Sequence, residues 1–104
     1  MRGQRLQWGL TQRELAPLVC IKDVTQLSRV EHGTRPPSAL CAISAMVVFG
    51  KSLEELFPEL ILDVEDRIGP PALKLYYKVE NRKSMAAMKK RELLLRIAQV
   101  KRAL

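Results

Sequence analysis

Over the first 57 residues, apolar positions recur at helical spacing in short bursts. Most bursts are opened by a hydroxyl or carboxylate residue, and most are closed by glycine or proline. Residues 2–8 predict a short first helix ended by Gly9. "TQRE" at 11–14 reads as a capping box: the Thr11 hydroxyl takes an amide three residues on, and Glu14 reaches back to the Thr11 amide. Leu15, Leu18 and Val19 then share one face of a second helix. Pro17 opposes the carbonyl of Arg13, still in the first turn, so a tight or bent helix is expected rather than a broken one. Residues 20–23 form a turn. Asp23 caps a third helix, with Gln26 completing a second box, Leu27 and Val30 buried, and Gly33 at the left-handed C-terminal position. After the loop "TRPP", Ser38 caps an apolar fourth helix ended by Gly50. "SLEE" at 52–55 then opens a fifth as a third capping box, with Leu53, Leu56 and Phe57 inward.

After Pro58 the pattern lengthens. Residues 60–68 are amphipathic, "GPP" at 69–71 is expected to kink or break the helix, and "ALKLYYKVE" resumes it. "NRKS" is a turn, and 85–104 form a last helix in which Leu93, Ile97, Val100 and Leu104 follow a 4-3-4 seam. That seam either packs on its own chain or meets another copy. Tyr76 and Tyr77 read as packing residues. The expected organisation is an all-α chain: a five-helix unit over 1–57 and a helical extension over 58–104.

Composition narrows the chemistry. The net charge of +7 favours polyanions as partners. The excess is uneven, with seven Lys/Arg against five acids in 1–57 and eleven against six in 58–104. The tail's basic residues read mainly as the polar side of an amphipathic helix. Two cysteines and one histidine suit neither a disulfide framework nor a metal site. The start lacks the apolar core of a signal peptide, and the run from Ala39 to Phe49 is too short to span a bilayer. A cytoplasmic protein with reduced thiols, no cofactor and no membrane association is expected. With no Cys–His pair, no phosphate-cradling glycine loop and no carboxylate dyad, an enzyme is not.

"GLTQRELA", "LSRVEHGTRPPS" and "FGKSLEELF" occur in that order over residues 4–57, and together they resemble the phage-repressor or Xre-type helix-turn-helix family. The resemblance implies a phage-repressor-like five-helix fold and a transcriptional regulator of double-stranded DNA. The third helix would lie in the major groove and the second across the backbone. Three features depart from the family pattern. Cys20 stands where a small residue, often glycine, is usual; the turn is one residue longer than the commonest; and Gln4 replaces an aliphatic, whose packing Leu6 and Trp8 would take over.

With Leu27 and Val30 assigned to the core, the third helix is left with Val24, Thr25, Gln26, Ser28, Arg29 and His32 facing out. By family position Val24, Thr25 and Arg29 are base readers. Arg29 suits guanine O6 and N7, and Val24 and the Thr25 methyl suit the thymine methyl, while Gln26 suits adenine unless its cap occupies it. Phosphate contacts are expected from Thr11, Gln12 and Arg13 at the start of the second helix, with Gln12 resembling the family's backbone-clamping glutamine. Ser28, His32, Thr34 and Arg35 are further candidates, whereas Glu31 reads as bonding within the motif. The expected function is a sequence-specific repressor acting as a homodimer. The alternative is an antitoxin or adaptor whose residues 58–104 grip a protein partner.

Overall fold

The computed structural model describes residues 1–103, with side chains described through Ile97. Among the described residues there are seven helices and no strand, so the chain is all-α. They are α1 (Arg2–Gln7), α2 (Gln12–Leu18), α3 (Val24–Glu31), α4 (Ala39–Phe49), α5 (Leu53–Leu56), α6 (Pro58–Val79) and α7 (Met85–Ala103). The chain divides into two compact units, Met1–Ile61 and the residues from Leu62 onward.

The first unit is built around Leu15 and Val19 of α2 and its cap, Leu27 of α3, Cys41 and Ala45 of α4, and Leu56 of α5, all essentially sealed from water. Phe49 and Phe57 close this core, and Met1, Leu10, Ile21 and Met46 pack around it. Each buried Leu contributes about 1.5–3 kcal/mol over an exposed one. Helix starts are fixed by side chains: Ser38 accepts from the Cys41 amide at 3.1 Å, and Ser52 from the Glu55 amide at 3.1 Å. Glu55 meets the Ser52 hydroxyl at 3.2 Å instead of its amide, so α5 carries a single cap rather than the reciprocal box its sequence suggests.

Three helices end in the same closure. After α1, α2 and α3 the amide two residues beyond the C-cap bonds five residues back: Leu10 to Arg5, Ile21 to Ala16 and Thr34 to Arg29, at 2.8–3.0 Å. Such a closure needs a left-handed residue just past the cap. Gly9 and Gly33 supply it twice, and Cys20 supplies it after α2 with φ +61°. The Cys20 thiol rests 3.4 Å from the Ser44 hydroxyl on α4. At Gly33 a Cβ would also come within 3.3 Å of the Glu59 carboxylate, a contact that this exposed, flexible side chain can relieve, so it is the positive φ that favours glycine there.

Two expectations about the core are corrected. Leu18 is 48 % exposed, because α2 centres its inward face on Leu15, Ala16 and Val19 and Leu18 falls off its edge. Leu6 and Trp8 do not take over packing from Gln4; both are exposed, Trp8 at 67 %, and Met1 and Leu10 cover that part of the core.

In the second unit α6 runs unbroken through Pro70 and Pro71, against the break expected at 69–71. The prolines cost the carbonyls of Asp66 and Arg67 their helical donors, but both residues are exposed, so water can take those carbonyls. Gly69, lacking Cβ, also relieves the clash that a proline imposes on the residue before it. The α6–α7 hairpin buries Val79, Ala87 and Leu94, with Ala72, Tyr76 and Ile97 alongside. The Tyr76 ring meets that of the exposed Tyr77 edge-on at 6.4 Å. The turn is held by Arg91, whose Nη1 donates to the carbonyls of Val79 and Arg82 at 2.6 Å each, and by Ser84, which caps the Ala87 amide at 3.1 Å. The inward residue of α7 is Leu94, 8 % exposed, and Leu93 stands outside at 58 %, so the expected seam is one residue out of register at that point. Ile97 packs on its own hairpin. The side chain of Val100, and Leu104, lie outside the described residues, as do the side chains of Lys101 and Arg102.

Candidate nucleic-acid interface

The outward face of α3 and the start of α2 are held together from beneath by one carboxylate. The Glu31 side chain has no solvent exposure, and it accepts Arg5 Nε from α1 and Gln12 Nε2 from α2, each at 2.8 Å. Arg5, itself buried, also donates Nη1 to the Leu10 carbonyl at 3.0 Å. Three helices thus converge on Glu31. A buried ion pair of this kind adds little net stability, but it fixes geometry and is costly to break from one side.

Glu31 therefore bonds within the motif, as its position implied. Arg5 carries no local pattern that singles it out. The cue available in the sequence was that a buried Glu31 needs a cation, and Arg5 is the basic residue in the middle of α1. Gln12 is oriented rather than consumed, because its amide has two hydrogens and Glu31 takes one.

At the start of α2 the capping box forms in full. Thr11 Oγ1 accepts the Glu14 amide at 3.1 Å, and the Glu14 carboxylate accepts the Thr11 amide at 3.0 Å. Those bonds hold the Glu14 carboxyl below its usual range, with the Thr11 backbone bond the largest cause. Arg13, beside it, is exposed.

Asp23 caps α3 by accepting the Thr25 amide at 2.8 Å. It reaches the second residue of the helix and not the third, so the box expected with Gln26 does not form and the cap does not use Gln26. Leu27 and Val30 face the core as expected. Thr25 and Arg29 are exposed, while Val24, Gln26 and Ser28 are half-buried along the flanks. Near the end of α3, His32 Nδ1 lies 2.7 Å from the Ser28 carbonyl and 3.3 Å from the Ser28 hydroxyl. The Thr34 hydroxyl donates to the Arg29 carbonyl at 3.1 Å, so its hydrogen points at the helix end. Arg35 is exposed in the following loop.

The structure thus gathers Thr11, Gln12 and Arg13 at one helix start, and Val24, Thr25, Gln26 and Arg29 along one helix. Among the described residues no cluster of His, Cys, Asp or Glu could hold a metal ion, and no helix is long and apolar enough to cross a membrane. A family model described as helix-turn-helix matches residues 1–56, which take in α1 through α5. Neither a curated protein nor a solved structure matches the chain.

Proposed function

Because this chain belongs to the Xre/Cro-like helix-turn-helix family over residues 1–56, we propose that it is a sequence-specific transcriptional repressor acting as a homodimer. Binding of DNA as a regulator is the family's general activity. The finer reading is supported above all by the clamp on Glu31, which sets α3 against α2 while leaving the outward side chains of α3 uncommitted to the core.

In this reading α3 enters the major groove. Arg29 donates twice to a guanine, Thr25 and Val24 meet a thymine methyl, and Gln26, outside the cap, addresses an adenine. Gln12 gives its second amide hydrogen to a phosphate, and Arg13, Arg35, Thr11, Ser28 and His32 line the same backbone path, while Thr34, its hydrogen committed to the Arg29 carbonyl, holds the end of α3 beside them. These contacts position the protein, while those of α3 carry the sequence information. One such helix reads only a few base pairs, so two copies would be needed, on half-sites about 34–36 Å apart or a multiple of that.

The test is selection of random duplexes by the purified chain, followed by sequencing. A two-fold symmetric motif is the expected result. Enrichment of a single, unrepeated half-site would remove the homodimer, and no enrichment would remove sequence-specific reading and leave a partner-binding role for residues 58–104.

A further inference from the structure

The charge of the chain is concentrated at one end of the second unit. Residues 74–91 hold seven Lys and Arg against a single acid, Glu80, while the rest of the chain holds eleven against ten. Met1–Ile61, which contains the helix-turn-helix, has seven cations and six acids, and one of those cations, Arg5, is buried on Glu31. That unit is close to neutral, whereas non-specific affinity for DNA comes almost wholly from neutralised phosphates.

The α6–α7 hairpin gathers this excess around its turn. Lys74 and Lys78 stand one helical turn apart on α6, Arg82 and Lys83 lie in the turn itself, and Lys89 and Lys90 follow on α7. The four helical ones lie within about 8 Å of the turn along their helix axes. All six are exposed, and among the described residues none is in an ion pair. Elsewhere on the hairpin Arg67 and Arg96 each pair with the acid four residues before, Asp63 and Glu92. Those two fit the solvated face of an amphipathic helix, but none of the six at the turn has an acid at that spacing. Arg91, the seventh cation, donates to the carbonyls of Val79 and Arg82, so it covers acceptor oxygens at that end and holds the turn in shape.

We propose that the turn end of the hairpin is a second DNA-binding surface, a sequence-independent clamp on duplex phosphates. Five of its six exposed cations are lysines. The lysine ammonium is a compact point charge that suits phosphate and lacks the planar fork with which arginine reads guanine. The one exposed ring there, Tyr77, is too few for the run of stacked bases by which single strands are held. Because both units belong to one chain, phosphate contact by one raises the effective concentration of duplex at the other. This surface rests on the reading of the chain as a DNA-binding regulator and adds where the electrostatic part of its affinity resides.

The test is titration of the full chain on a random-sequence duplex and on a duplex obtained by selection, at several salt concentrations. Two double variants are compared with the wild type: Lys89→Gln with Lys90→Gln, and Lys74→Gln with Lys78→Gln. Each is expected to lower affinity for both duplexes alike, at least about fivefold near 0.1 M salt, and to reduce the slope of log affinity against log salt by about one to two. Glutamine matches lysine in helix propensity, and circular dichroism checks that helicity is retained. Arginine at the same positions should restore the slope, and Arg96→Gln, which removes a paired cation, should leave it unchanged. An unchanged slope in both double variants, with the wild type still preferring the selected duplex, overturns the second surface and leaves the reading of DNA by α3 intact. A loss confined to single-stranded RNA or to vesicles of phosphatidylserine and phosphatidylcholine, with duplex binding untouched, also overturns it. A wild type that binds neither duplex overturns both the surface and the DNA-binding reading.

Discussion

Arg5 and Glu31 meet at 2.8 Å in the interior of the first unit, 26 residues apart in the chain, with the glutamate side chain wholly sealed from water. The pair couples α1 to the end of α3, and Gln12 couples α2 to the same carboxylate. Removing the arginine leaves a charge buried with one neutral donor. Arg5→Ala is therefore expected to destabilise the protein by about 3–5 kcal/mol, a large part of what a small domain possesses. Urea titration followed by circular dichroism measures it, and a loss under about 1 kcal/mol would mean that water reaches Glu31. Replacing both partners together, Arg5→Met with Glu31→Leu, should recover most of the loss.

Gln12→Ala removes one hydrogen bond to a charged group, which costs about 1.5–3 kcal/mol, and leaves the Arg5–Glu31 pair in place. The folded variant is expected to lose affinity for all duplexes alike, because a phosphate contact carries no sequence information. Binding titrations on a selected and a random duplex separate this from a reading role. Loss confined to the selected duplex would reassign Gln12 to base contact.

Cys20 occupies, at φ +61°, the position that Gly9 and Gly33 fill in the equivalent closures after α1 and α3. A side chain in that conformation costs roughly 1–2 kcal/mol. Glycine would remove this cost but add about 0.4–1 kcal/mol of unfolded-state freedom. The balance predicts that Cys20→Gly stabilises the chain by about 0.5–1 kcal/mol, whereas Cys20→Val destabilises it. Paired thermal melts decide the sign, and a destabilised glycine variant would show that the thiol's contact with Ser44 outweighs the backbone strain.

What could be read from the sequence follows from how far apart the interacting groups lie. The Thr11–Glu14 box, the Ser38 cap, the inward Leu27 and Val30 and the closures at Gly33 and Gly50 all depend on residues within about five positions, and their spacing is visible in the chain. Local rules failed where solvent or packing decided instead. Pro70 and Pro71 sit in an unbroken helix because the carbonyls four residues before them belong to exposed residues, and α7 turns Leu94 inward rather than Leu93 because Val79 and Ala72 of α6 fix its rotation. Arg5 escaped local rules for the opposite reason: its partner is 26 residues away, and only the need of a buried Glu31 for a cation, not anything near Arg5 in the chain, points to it. Of the candidate interface, the outward residues of α3 were legible by subtraction of its core, but the carboxylate that orients Gln12 beside them was not.

Glu14 gives the acid limb of stability a specific contributor. Its carboxyl is held below the usual range by the Thr11 amide and hydroxyl, so the folded state binds its proton less readily than the unfolded chain. By linkage, this contribution is complete above the ordinary carboxylate range and is lost as pH falls through the depressed folded value. Glu14→Gln keeps a side-chain acceptor but has no charge to lose. The stability difference between wild type and variant, measured from pH 7 downward, should shrink as the wild-type carboxyl protonates. A difference constant with pH would show that the cap acts without its charge.

Arg29 is the residue on which sequence reading most depends. It is exposed on α3, and its own carbonyl is tied into the helix end by Thr34, so the backbone beneath it is fixed while the side chain projects outward. Arg29→Ala is expected to cost about 1–3 kcal/mol of discrimination between a selected duplex and the same duplex with its contacted guanine changed. Affinity for random DNA should fall only by the share of one phosphate-attracting charge, and the slope of log affinity against log salt should change by less than about one. Arg13→Ala serves as the contrast, expected to lower binding to both duplexes equally and to reduce that slope by about one. Titrations of both variants on both duplexes at several salt concentrations give all of these quantities. Equal losses on the two duplexes for Arg29→Ala would move it from base reading to backbone contact.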